Sequence, residues 1–250
     1  MQLDEKWSFV GKKEARCDRD NPADDTKGDC WDHVAFDPAS RLVVSVILGR
    51  RTGEHSQLLL EDFHRRTGGR RMDLMTSDEY AGYPAAILAV YGEVITPPRT
   101  GKPGRPAAPY QAIPEGLNYA TVHKTREGNR VVEVDRRLVY GSTAGVDAAL
   151  AQSPVSETVN TAYVERHNGT DRHRNARKSR KSYCFSKDWA VHAAVSYFTL
   201  YSYNFCWPVR TLRQKDAQGR WQARTPAMAA GLADHVWSLR EWLTLPAVQR

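Results

Sequence analysis

One glutamate stands next to a dense run of cations between residues 162 and 187, in the stretch AYVERHNGTDRHRNARKSRKSYCFSK. Glu165 and Arg172 are seven residues apart, which is about two turns of an α-helix, so their side chains would point the same way. The pattern predicts a catalytic helix that presents a carboxylate and faces a polyanion. The alternative is an ordinary exposed helix, because most runs of charge are only solvated surface.

The cations of this stretch are candidate contacts to the phosphates of that polyanion. Such contacts do not depend on base sequence, and they weaken steeply as salt is added. His167 and His173 are expected to face the same partner or solvent. The candidate cations are Arg166, Arg172, Arg174, Arg177, Lys178, Arg180, Lys181 and Lys187.

Two further acids occupy positions from which a sheet could bring them to Glu165. Residues 1–10 alternate as a strand, and Asp4 falls on its polar side. Asp78 follows a short strand predicted over residues 72–76. If these two strands are neighbours in a sheet, the two aspartates lie close together despite their separation in the sequence.

Carboxylates without histidine or cysteine are the ligands that Mg²⁺ or Mn²⁺ prefers. Two such ions about 4 Å apart suit in-line attack on a phosphodiester, because one activates the attacking water or hydroxyl and the other stabilises the leaving oxygen. Asp4, Asp78 and Glu165 would form such a ligand set. On residue type alone, however, this triad is one choice among 29 acids.

The composition allows one large core and a polyanionic partner. Of the 250 residues 41% are hydrophobic, and the net charge of +7 gives a pI near 9.3. Composition alone supports nucleic acid and an anionic membrane surface equally. We expect a cytoplasmic protein with no membrane partner, because no apolar stretch could span a bilayer and no signal peptide follows Met1. The four cysteines lack zinc-site spacing and are expected to be reduced thiols.

Local patterns predict a mixed sheet with helices on its faces. Two further strands after the first would form an antiparallel meander, and two helices would alternate with two short strands. A Pro- and Gly-rich linker and a β-hairpin follow, and a long aromatic helix, a short helix and a capping box come later. The predicted strands are 31–36, 42–48, 72–76, 93–96, 119–125 and 130–139, and the predicted helices include 54–66, 83–90, 146–152 and 189–204.

Three blocks of the sequence resemble the catalytic blocks of DDE transposases from small bacterial insertion sequences. The blocks are LDEKWSFVG at 3–11, TSDEYAGY at 76–83, and YVERHN at 163–168 with the later RKSRKSYCFSK. The resemblance is closest to the insertion-sequence-one group, and the segments NFCWPVRTL and RTPAMAAGL resemble the tail of such transposases.

The resemblance implies a ribonuclease-H-like fold and an enzyme that cuts and joins DNA strands with two Mg²⁺ or Mn²⁺ ions. It implies that Asp4, Asp78 and Glu165 are the catalytic and metal-binding acids. Arg172 resembles the basic residue, two turns after the glutamate, that contacts DNA. The implied partners are double-stranded DNA of the transposon ends and target, in the cytoplasm at the nucleoid, and a homodimer or higher oligomer.

The chain departs from the family pattern in two places. The gap between Asp78 and Glu165 is longer than is usual in the group, which implies an insertion. Family members also carry a zinc-binding and helix-turn-helix region before the first aspartate, whereas three residues precede Asp4 here. This difference implies fusion with an upstream reading frame or a truncated relic.

The implied architecture is an α/β ribonuclease-H-like core, a mixed sheet flanked by helices, with a β-containing insertion before the last catalytic helix. Residues 1–96 form the first part of the core, 97–155 the insertion with its hairpin, 156–210 the second part with the basic helix, and 211–250 a helical tail. The leading hypothesis is a transposase catalytic core. The alternatives are a nuclease of the same fold without strand transfer, and a truncated, inactive DNA-binding remnant.

Overall fold

A six-stranded mixed sheet forms the centre of the molecule, with helices against it. The computed structural model describes residues 1–18, 20–98, 107–128, 130–179 and 181–245. The strands are β1 Gln2–Val10, β2 Gly28–Asp37, β3 Leu42–Gly49, β4 Met75–Asp78, β5 Glu93–Ile95, β6 Tyr110–Ala112, β7 Tyr119–Glu127, β8 Arg130–Tyr140, β9 Gln214–Lys215 and β10 Trp221–Gln222. The α-helices are α1 Gly53–Arg66, α2 Gly82–Tyr91, α3 Thr143–Ala151, α4 Ala162–Arg174, α5 Trp189–Cys206, α6 Pro226–Ala229 and α7 Leu239–Thr244.

The strand order in the main sheet is β3-β2-β1-β4-β7-β8. The first three strands pair antiparallel, which confirms the predicted meander. β4 pairs in parallel with both β1 and β7, and β8 returns antiparallel to β7. Gln2 pairs with Thr76, so Asp4 and Asp78, each two residues further along parallel strands, lie at the same level of the sheet.

The helices on the two faces of the sheet come from different halves of the chain. Leu3 packs with α1 and α2, whose buried side chains include Leu59, Phe63 and Ile87. On the opposite face, α4 and α5 cover β2 and β3 through Val164 and other apolar side chains. Period-two alternation in one strand therefore separates an apolar row from the polar row that contains Asp4.

The hairpin that we expected inside an insertion belongs to the main sheet. β7 pairs with β4 in parallel from Met75↔Tyr119 to Asp78↔Val122, and β8 forms the outer edge. Residues 119–140 therefore extend the core instead of forming a separate module. The sequence pattern shows the hairpin, but it does not show the pairing with β4, because that partner lies far away in the sequence.

Two other local predictions differ from the structure. The strand expected at 93–96 pairs with β6 in a small ribbon and does not join the main sheet. The basic helix expected over 162–187 ends at Arg174, because Asn175 adopts an extended backbone and its side chain accepts the N–H of Arg177. The linker at 97–114 lies partly outside the described residues.

The later helices agree closely with the sequence prediction. α5 ends just before Trp207, and Ser238 and Glu241 form the predicted capping box of α7. Within the part of the chain that the structure describes, no helix is long and apolar enough to cross a membrane.

Candidate active site

Three carboxylates from three elements line one open cleft of about 740 Å³. Asp4 comes from the middle of β1, Asp78 from the last residue of β4, and Glu165 from the first turn of α4. The side chains of Asp78 and Glu165 are 44% and 42% exposed, so solvent and ligands can reach them. The acids that the sequence separates by up to 161 positions thus meet at one site.

Asp4 is the most enclosed of the three acids. The side-chain amide of Asn168 donates to Asp4 Oδ2 at 2.7 Å, and the N–H of Glu5 donates to Oδ1 at 2.9 Å. Burial, with a smaller contribution from the nearby charges of Asp78 and Glu165, raises the pKa of Asp4 to about 6. The ionised form of Asp4 is therefore disfavoured mainly by its enclosure and secondarily by the other two acids.

Asp78 and Glu165 each have a cation beside them. Burial raises the pKa of Asp78. The charge of Arg51, which lies 3.7 Å from Asp78 Oδ2, partly opposes this increase. The N–H of Tyr80 donates to Asp78 Oδ1 at 3.2 Å. Lys124 on β7 forms an ion pair with Glu165.

Arg51 is a site residue that the sequence pattern did not identify. Its guanidinium donates to Glu5 Oε2 from Nε at 3.1 Å and from Nη2 at 3.0 Å. The same group lies over the rings of Trp31 and Tyr80, at 4.9 and 4.3 Å from their centroids. Burial raises the pKa of Glu5 to about 7, and Asp78 adds to the shift. An acid on the otherwise apolar face of β1 was the available signal.

The predicted phosphate-binding cations do not form one surface. Arg172 lines the acid cleft, together with Arg126 and Lys124, which are additional cations from the hairpin. Arg166 and Arg174 line a different groove, with Tyr163 and Tyr203. The remaining cations are distributed as follows: Arg177 and Lys181 line a third groove, Lys187 is exposed, and Arg180 lies outside the described residues.

Lys178 is not a phosphate contact, which corrects the sequence prediction. Its side chain is fully buried, and its ammonium group pairs with Asp32 at 2.5 Å and lies 3.6 Å from Asp171. Lys6 pairs with the same two acids, at 3.0 Å from Asp32. We call Lys6, Asp32, Asp171 and Lys178 the buried ion network. It contains two cations and two anions, so the charges balance.

The prediction that His167 faces the partner or solvent is also wrong. The ring is buried between Phe36 and Tyr203, at centroid distances of 5.1 and 4.7 Å. Burial, together with the charge of Lys6, lowers the pKa of His167 to about 3. This histidine is therefore a neutral core residue.

A second group of possible metal ligands consists of Cys30, Asp32 and His192, whose ligand atoms lie within 4.8 Å of one another. All three are buried, and Asp32 is already paired with both lysines of the buried ion network. The two lysine charges next to this carboxylate disfavour a cation there. The acid cleft is the better candidate for a divalent ion.

The acid cleft combines three convergent carboxylates with cations on its rim, which suits metal-assisted chemistry on a phosphate ester. No protein-family model matches the chain, and a search of curated proteins finds no significant similarity.

Proposed function

We propose that this chain is the catalytic core of a DDE-type DNA transposase, which cleaves and joins DNA strands with the help of divalent ions. The observation that carries the proposal is the convergence of Asp4, Asp78 and Glu165 in one cleft. These are the three acids that the resemblance to DDE transposases assigned to catalysis.

The sheet topology supports the same proposal. An antiparallel meander is followed by two strands, β4 and β7, that run parallel to its first strand, β1, with helices against the sheet. This arrangement is compatible with a ribonuclease-H-like fold. The three acids come from β1, from the end of its parallel neighbour β4, and from the first turn of α4.

The donor set fits Mg²⁺ or Mn²⁺. All three groups are carboxylates, and the raised pKa of Asp4 reflects first its burial and then the charges of Asp78 and Glu165, which a cation would offset. Asp4, Asp78 and Glu165 would hold the ions, which when bound supply activation of the attacking oxygen and stabilisation of the leaving oxygen.

The remaining residues of the cleft position these acids and attract the substrate. Asn168 fixes the orientation of Asp4 through its hydrogen bond, and Lys124 holds Glu165. Arg51 is held between two rings at the side of Asp78. Cations on the rim of the cleft would attract the phosphate backbone of double-stranded DNA at the transposon ends and target. Bringing two ends together would require a homodimer or higher oligomer.

The test is metal-dependent cleavage and joining of labelled duplex DNA. With Mg²⁺ or Mn²⁺ we expect nicked and joined products from the wild-type chain and neither product from Glu165→Gln or Asp78→Asn. Glu157→Gln, which changes an exposed acid in the loop before α4, is the matched control and should retain activity. Circular dichroism should show the same fold for all four proteins.

The products separate the proposal from its alternatives. Cleavage without joining would instead indicate a nuclease. DNA binding without metal-dependent cleavage, unchanged in Glu165→Gln, would indicate an inactive DNA-binding remnant and would contradict the proposal.

A further inference from the structure

We propose that a groove next to the acid cleft binds unpaired bases of single-stranded DNA. The groove is lined by the rings of Trp7, Phe9, Tyr183 and Phe185 and by the cations Lys13, Arg177 and Lys181, and we call it the aromatic groove. This inference rests on the proposed function, because it takes the occupant to be the DNA strand that leaves the acid cleft.

The groove exists because β4 is much shorter than β1. β4 ends at Asp78, so the second half of β1 has no strand beside it on that side among the described residues. The segment after residue 180 runs there instead. Gly11 donates its N–H to Ser186 O at 2.8 Å, and Val10 and Ser186 form an isolated parallel bridge. This contact brings Phe185 against Phe9.

Aromatic rings form a continuous row along this side of β1. The ring centroids of Trp7 and Phe9 are 5.7 Å apart, and those of Phe9 and Phe185 are 4.8 Å apart. All three rings are only partly buried. Tyr183 is 97% exposed, which means that folding alone does not account for its position. One exposed ring beside three partly exposed rings forms an apolar patch of the kind that marks a binding surface.

The charges of the groove favour a nucleic acid over an apolar partner. Lys13 lies 5.5 Å from the centroid of Trp7, and Lys187 lies over the ring of Phe185. The neighbouring acids are turned towards backbone amides: Asp29 accepts the N–H of Glu14 at 3.0 Å, and Asp188 accepts the N–H of Val191 at 2.8 Å. Rings for stacking beside cations for phosphates are the two elements of a single-strand site.

The position of the groove indicates which strand it would hold. Arg172 lines the acid cleft, and its backbone carbonyl accepts the hydroxyl of Ser179, which lines the aromatic groove, at 3.2 Å. A strand that passes through the cleft can therefore continue into the groove. Stacking on the rings requires unpaired bases, because bases in a duplex already stack on one another. The occupant is therefore the single-stranded DNA adjacent to the phosphate at the acid cleft.

The test is binding of a fluorescein-labelled 15-residue oligothymidylate in EDTA, followed by fluorescence anisotropy. We expect Tyr183→Ala and Trp7→Ala each to weaken binding by about 5- to 150-fold, the range that loss of one stacked base gives. Tyr183→Ala removes an exposed ring, so a folding defect will not explain its result. Trp221→Ala is the matched control, because Trp221 is a 54%-exposed ring beside Arg213 and Lys215 in the separate β9–β10 ribbon.

Three results would overturn the inference. The first is that Tyr183→Ala and Trp7→Ala bind oligothymidylate as tightly as wild type. The second is that these variants lose as much affinity for a blunt duplex of the same length as for oligothymidylate. The third is that wild type binds oligouridylate at least tenfold more tightly, which would make RNA the occupant. Because EDTA removes catalysis from this assay, the result is independent of the cleavage test. Normal cleavage with unchanged oligothymidylate binding contradicts the groove alone, whereas ring-dependent binding without metal-dependent cleavage contradicts the proposed function alone.

Discussion

The acid cleft and the buried ion network lie two residues apart on one strand but hold their charges in opposite ways. Asp4 and Lys6 project from the same face of β1. Asp4 lies among like charges in an open cleft, and its pKa is raised. Lys6 lies among opposite charges in the interior, where the lysines hold the pKa of Asp32 well below its usual range despite burial.

The difference separates a binding site from a structural one. Buried ions of opposite sign neutralise one another, and removing one partner leaves an uncompensated charge in the interior. In the acid cleft, burial and neighbouring carboxylates raise the pKa values of Asp4 and Asp78, so that a cation bound there would stabilise their ionised forms. An acid is therefore a candidate for function when its neighbours leave its charge uncompensated, whatever its position in the sequence.

The largest expected effect comes from breaking the buried ion network. Lys178→Met removes one of two cations facing two buried acids, so we expect the free energy of unfolding to fall by about 3–5 kcal/mol. Lys181→Met, which changes an exposed lysine nearby, should stay within about 0.5 kcal/mol of wild type. Urea unfolding measures both.

A second variant restores the balance of charge in the same network. Adding Asp32→Asn to Lys178→Met leaves one cation and one anion, Lys6 and Asp171, and should recover part of the lost stability. If Lys178→Met were as stable as Lys181→Met, the structural role of the network would be wrong and Lys178 would return as a candidate phosphate contact.

A smaller effect is expected from pH at the border of the network. His192 is bonded to Ser8 and Ser186, and burial with the nearby Lys178 charge lowers its pKa to about 4. In the unfolded chain the pKa of this histidine is about 6.5. As the pH falls below 6.5, the unfolded state binds the proton before the folded state does. The free energy of unfolding therefore decreases until the pH reaches the pKa of the folded state.

The measurement compares wild type with His192→Gln, so that other titrating groups cancel. The stability advantage of wild type should shrink by about 2–3 kcal/mol between pH 7.5 and pH 4.5. A difference that does not change with pH would show that the ring is not held neutral. The exposed His235 offers His235→Gln as a control that should show no such loss.

The smallest of these effects tests how the acid cleft is supported. Asn168→Ala removes the hydrogen bond to Asp4, and loss of such an outer partner typically costs about 10- to 100-fold in metal affinity or activity. The Mn²⁺ concentration for half-maximal cleavage should rise accordingly. Gly169→Ala is the neighbouring control, because open space surrounds that position. Equal Mn²⁺ dependence in the two variants would show that Asn168 does not position Asp4.

Local patterns were sufficient to predict many of the elements around the site. Alternation predicted β1 to β3, and helical spacing with terminal signals predicted α1, α2 and α5. The positions of Asp4 on a strand and Glu165 on a helix were also predicted correctly. Asp78 was expected just past a strand over residues 72–76, whereas it is the last residue of β4. These features depend on residues close together in the sequence, where side-chain periodicity is informative.

The features that the sequence did not reveal depend on distant partners. Lys178 lies in a run of lysines and arginines, residue types that are usually exposed. Only its contact with Asp32, 146 residues away, explains its burial. The hairpin was misplaced because its parallel pairing with β4 leaves no local signal. Arg51 was missed for the same reason, since Glu5 and the two rings that hold it lie in other elements.

The polar row of β1 also sets the order in which the molecule can be completed. Gln2, Asp4, Lys6 and Ser8 bond in turn to Asn160, Asn168, Asp171 and His192. During synthesis, each residue of this row is added to the chain more than 150 residues before its partner. Contacts over such distances form late, because the intervening chain must first be closed into a loop. A partly synthesised chain therefore carries Asp4 and Asp78 without Glu165, and the acid cleft is incomplete until α4 has been made.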